Sequence, residues 1–182
     1  MTLTTPLQRF GVGQVVRVLA VFLMFLLGMG STVWAQIVPD DPDWKESDAS
    51  PPPAFEMGRL VTFDGPVNSS LVYGVDPASL QISTSDGLIR YVLVASNASG
   101  AKNVMYEAIR CATAEFKTYA RYLPDGRWSP VSDVRWRSML GNMPSRHALY
   151  FARAGACDNA STPSSVNALV YRLKNPNSKY SQ

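Results

Sequence analysis

The stretch Leu88–Ala95, LIRYVLVA, constrains the fold more than any other. It is rich in β-branched and aromatic residues. The turn pair Asp86-Gly87 precedes it and the run Ser96-Asn97-Ala98-Ser99-Gly100 follows it. A short apolar run bounded in this way reads as a strand buried in a sheet. The polar spacer 96–103 is short, so the chain is expected to return alongside as an antiparallel neighbour.

What that return looks like depends on residues 103–123. Met105, Ile109, Ala112, Phe116, Tyr119, Ala120 and Leu123 recur at helical spacing, which fits an amphipathic helix. A helix would put Cys111 nearer its charged side, a poor place to bridge to a distant segment. In a strand Cys111 shares a face with Ile109 and Met105. The reading adopted is two strands, 104–111 and 116–122, with Pro124-Asp125-Gly126 as a hairpin turn before Trp128. Upstream, Gly58–Phe63, Leu71–Val75 and Leu80–Ile82 are further candidate strands. Downstream, Ser132 can cap a helix carrying Val134, Trp136, Met139 and Leu140. Ser145 can cap another carrying His147, Leu149, Tyr150 and Phe151, ending near Gly155. Ala168–Leu173 is a candidate last strand. The expected class is α+β: a small antiparallel β-sheet meander with short C-terminal helices.

The N-terminus decides how much of the chain takes part. Arg9 and Arg17 precede Val18–Gly30, thirteen residues without a charge, and Val33 and Ala35 stand where a signal peptidase needs slim side chains. A membrane-spanning helix wants ~20 apolar residues. Residues 1–35 therefore read as a signal peptide, cut between Ala35 and Gln36, and the working protein as periplasmic or secreted. The expected organisation continues with a flexible acidic, Pro-rich linker at 36–54, in which Trp44 is the one residue fit to dock. A single globular domain follows at 55–173, then a polar tail at 174–182. No cysteine lies near the cut to accept a lipid, and no second apolar run is long enough to span a membrane.

In an oxidising compartment an even pair of cysteines is expected to bond, so Cys111 and Cys157 form the predicted disulfide. A zinc site commonly takes four ligands. Two distant cysteines and a single histidine, His147, do not supply them, and no cofactor is expected.

Charge is unevenly spread. Residues 36–86 hold nine acidic residues against two basic, and residues 87–182 hold thirteen basic against five acidic. The halves either neutralise each other by packing or leave a basic face for an anionic polymer or envelope protein. The basic residues are scattered singly, unlike the dense basic and aromatic tract of a nucleic-acid binder.

No nucleophile elbow, P-loop or glycine fingerprint is present. Glu107 stands out as a carboxylate among Tyr106, Ala108, Ile109 and Cys111. It is either an acid with a raised pKa or one half of an ion pair, with Arg110 or Arg90 as partner. Trp128 and Trp136 either line a binding groove or belong to the core. His147 beside Arg146 is a candidate pH-sensitive contact. The binding candidates are thus Glu107, Arg110, Trp128, Trp136 and His147; no catalytic residue is assigned.

An ordered series of short pieces resembles the cryptic neisserial protein-like family. It runs through Val75–Leu80, Asp86–Val94, Ser99–Cys111, Tyr119-Ala120, Asp125–Trp128, Trp136 and Arg146-His147 ahead of Cys157, and covers roughly residues 40–158. The resemblance implies a bacterial envelope protein of uncharacterised function, in a family where many members are thought to be lipoproteins. This chain lacks their lipid-accepting cysteine. The expected function is a non-enzymatic periplasmic binding or interaction domain; the alternative is an envelope hydrolase using Glu107 as acid and base.

Overall fold

In the computed structural model, residues 41–176 are described. The proposed cut at Ala35–Gln36 and most of the polar tail lie outside them. Three long strands form the middle of the sheet: β4 (Leu88–Asn97), β5 (Lys102–Arg110) and β6 (Glu115–Tyr122). Each pairs antiparallel with the next, as the short spacers between them require. The doubtful stretch is therefore two strands, and the helical spacing of its apolar residues is incidental.

Both outer edges of this trio are divided between two short strands. Along β4 lie β2 (Leu71–Val75) and β3 (Gln81–Ser83), with β1 (Val61–Phe63) outside β2. Along β6 lie β7 (Trp128–Pro130) and β8 (Arg137–Ser138). The result is an eight-stranded antiparallel sheet. The break between β2 and β3 is built by Asp76. Its carboxylate accepts from the backbone N–H of Ala78 and of Glu56 and from the Arg59 guanidinium.

Side chains alternate across the sheet, so its two faces have separate cores. On one face Tyr73, Ile89, Tyr91, Leu93, Met105, Ile109 and Phe116 pack under two helices. The first, α1 (His147–Phe151), continues as a wider-wound turn through Ala156. Within that turn Gly155 has φ +138°, and a Cβ there would lie 2.6 Å from the Arg172 Cβ. The second helix, α2 (Val166–Lys174), is capped by Ser165, whose hydroxyl accepts from the Ala168 N–H. Val92, Val94, Val104, Tyr106 and Ala120 form the other core, under Phe55 and Leu60.

Two elements differ from expectation. Ala168–Leu173 is helical, because Val166, Leu169, Val170 and Leu173 make one apolar stripe at helical spacing. Conversely, the segment after Ser132 is not a helix. Arg137–Ser138 adds to the edge of β6, and Met139 is buried with its N–H on the Ala114 carbonyl. The free edge of β6 offers backbone partners that an isolated helix over these residues would forgo.

The linker also carries more structure than its composition suggests. The Trp44 indole donates to the Asp86 carbonyl, lies 3.7 Å from the Arg110 guanidinium and meets Trp136 edge-on. Glu46 pairs with Lys117 and accepts from the Tyr119 hydroxyl. The Ser47 N–H donates to Asp86, which in turn holds Arg90 at 2.8 Å. The packed unit thus includes residues 44–47, N-terminal to the expected start at Phe55. These contacts join the acidic half to the basic half. Cys111 and Cys157 are disulfide-bonded. Among the described residues no helix is long and apolar enough to cross a membrane.

Candidate functional site

Glu107 lies on the middle strand of the helix-covered face and is fully buried. Its Oε1 accepts from the Thr118 hydroxyl at 2.8 Å. Its Oε2 accepts from the Tyr91 hydroxyl at 3.1 Å and lies 2.9 Å from His147 Nε2. β4 and β6 supply the two hydroxyls from either side, because Tyr91 and Thr118 are the residues directly opposite Glu107 in the ladder. α1 lowers His147 onto the carboxylate between the rings of Tyr73 and Phe116.

The expected arginine partners are not the ones used. Arg110 is three residues along the same strand and Arg90 sits opposite Ala108, so both face away from Glu107. They pack instead against Trp44, Glu46 and Asp86.

Burial pushes the Glu107 carboxyl upward. The His147 charge, with the hydrogen bonds from His147, Thr118 and Tyr91, outweighs this and holds it below its ordinary value. Burial pushes His147 downward, and Glu107 outweighs that and raises it. Each group thus favours the charged form of the other. That environment works against Glu107 as a proton-carrying acid, and the three donors already on it leave little room for it to serve as a base.

The other ring nitrogen, His147 Nδ1, is 2.7 Å from the hydroxyl of Ser145. Ser145 does not cap α1; its side chain is spent on the histidine. Beside this chain of groups opens a cleft of about 270 Å³. Leu71, Met105, Phe116 and Met143 wall it, and Arg121 and Arg137 belong to its lining. Arg121 is there because of a bulge. Between the pairs Tyr106–Ala120 and Glu107–Thr118, Tyr119 has no partner, so alternation restarts and Thr118 and Arg121 share a face.

The sequence candidates divide between the two faces. Glu107 and His147 meet in the site. Arg110, Trp128 and Trp136 lie on the opposite face, where Trp128 packs on Phe55, Tyr106 and Tyr122, and Trp136 on Trp44. Tyr91, Thr118, Arg121 and Ser145 went unnoticed. Cross-strand register could have flagged the first two once the strands were placed; nothing local marks the bulge that aims Arg121.

No curated protein and no solved structure matches the chain. The CNP1-like family, whose function is uncharacterised, is matched over residues 39–174, a range that takes in every residue of the cleft, and the chain belongs to that family.

Proposed function

We propose that this chain is an exported protein of the bacterial envelope whose domain binds a small ligand in the cleft beside His147, without catalysis. One observation carries the reading: Glu107 is the only carboxylate among the cleft-lining residues, and it is saturated by three donors. Hydrolysis by paired carboxylates needs a second one within ~5–10 Å across the reacting bond. The apolar walls and few free polar groups are the usual make-up of a small-molecule site.

The leader 1–35 supports export, and the disulfide accords with an oxidising compartment. N-terminal sequencing of the exported protein should begin at Gln36. A chain still beginning at Met1 would argue against cleavage. For the cleft, NMR screening of a broad set of small molecules should give hits that shift Met105, Phe116 and Thr118. Asn103→Trp, which fills the exposed mouth, should abolish them. Hits that survive this change would place binding elsewhere and sink the reading.

A second reading has one observation in its favour. Ser145, His147 and Glu107 are linked in the order nucleophile, base and orienting acid. Glu107 would then orient rather than transfer protons. Glu107 favours the protonated form of His147, and in that form Nδ1 has no lone pair for the Ser145 proton, which supports binding over acyl transfer. Covalent labelling of Ser145 by a fluorophosphonate, absent in Ser145→Ala, would reverse that preference.

A further inference from the structure

We infer that the cleft takes a small amphiphile with one carboxylate, its head held by Arg121 and Arg137 and its body lying on Leu71, Met105, Phe116 and Met143. This rests on the binding reading above and names the ligand class.

The head is assigned from the cations. Arg121 is exposed and has no ion-pair or hydrogen-bond partner among the described residues, so its five donors are available. The bulge at Tyr119 brings it to the cleft side, a common use of bulges beside sites. Arg137 is 3.0 Å from Asp133, but that carboxylate is half-exposed and also lies 3.1 Å from Arg135. Arg137 therefore keeps donors to spare. Planar guanidinium groups suit a planar carboxylate, which they can grip with two parallel hydrogen bonds.

Asp133 competes only for Arg137, and the one carboxylate in the cleft lining is shielded. Glu107 is neutralised by His147 and enclosed by hydroxyls, so it repels an incoming anion far less than a bare carboxylate would. Thr118 and Ser145 are occupied, the first by Glu107 and the second by His147. That leaves Asn103 as the neutral hydrogen-bonding side chain in the lining not already engaged. A sugar or nucleotide would bury several hydroxyls without partners, which is unfavourable. An aliphatic or aryl body has no such need.

Size sets the last limit. About 270 Å³ is just below the usual span of ligand pockets, ~300–1,000 Å³. A short chain fits and a two-chain lipid does not.

The test uses three probes on the purified protein: octanoate, octanol of the same chain length, and inorganic phosphate. Titration calorimetry gives affinity, and NMR shifts at Met105, Phe116 and Thr118 report the place. Octanoate should bind there at least ~10-fold more tightly than octanol, the loss of one charge-assisted contact, and should weaken as salt rises. Phosphate should not shift these residues. Arg121→Gln should remove the preference for octanoate and leave the melting temperature unchanged, since Arg121 is exposed. Octanol binding as well as octanoate, or no change in Arg121→Gln, overturns the carboxylate assignment and leaves the binding reading standing. No cleft shift with any probe also overturns the assignment; the binding reading then stands or falls by the broad screen.

Discussion

His147→Ala isolates the ion pair at the middle of the sheet. In the variant Glu107 stays enclosed by Tyr91 and Thr118 and loses its counter-charge. At 2.9 Å the attraction it loses is about 6 kcal/mol at an effective dielectric of ~20. The native pair forgoes much of that through lost solvation. Removing one partner of such a pair, and leaving the other buried, costs about 3–5 kcal/mol. For a domain near 150 residues that lowers Tm by roughly 12–20 °C at pH 7. The pH dependence is the sharper signature. In the native protein Glu107 is held low, so its contribution is present above its ordinary value and lost as pH falls through the folded one. His147 is raised, so its contribution is full below its ordinary value and lost as pH rises through the folded one. The native protein is therefore most stable between these limits. In His147→Ala burial of Glu107 acts without the histidine and raises its pKa, so the variant should gain stability as pH falls from 7 towards 5. Urea unfolding followed by tryptophan fluorescence at both pH values measures this. A loss under ~1 kcal/mol at pH 7, or no gain on acidification, would refute the buried ion pair.

Three further outcomes are expected. Gly155→Ala forces a Cβ against Arg172 at φ +138° and should destabilise by ~2 kcal/mol or more by chemical denaturation; a neutral result would mean that α2 can shift freely. Reducing the Cys111–Cys157 bond, which spans 46 residues, should lower stability by about 4 kcal/mol, and alkylation of either cysteine in unreduced, denatured protein would show the bond absent. Trp44→Ala removes the Arg110 stacking and the hydrogen bond to Asp86, so the Ser47 amide should lose protection from hydrogen exchange while Val92 and Tyr106 keep theirs.

The strands of the middle trio were legible because they are long, apolar and separated by turn residues. Cys111 resolved the one ambiguity among them, since only a strand sets it beside Ile109. The C-terminal third was harder. Val166–Leu173 satisfies both periods over a short run, and only packing under β1 selects the helix. Arg137–Ser138 depends on an edge of β6 at Glu115 and Phe116, far upstream, which no local pattern reveals. Glu107 was visible as an oddity, a carboxylate in an apolar run. Its partners were not, since they lie 11, 16 and 40 residues away and are chosen by register and by helix placement.

That separation has a consequence in time. β4, β5 and β6 can pair as soon as residue 122 is available, and nothing in their hydrogen bonding waits for the rest. Sealing the helix-side face is another matter. Until residue 147 arrives, closing the sheet would strand an anion in oil, so that face should stay wet and the intermediate loosely packed. Completion should therefore wait for the C-terminal third, and Cys157, ten residues beyond His147, should meet Cys111 only after that. A chain stopped short of residue 147 should hydrogen-bond as a sheet and still fail to become this protein.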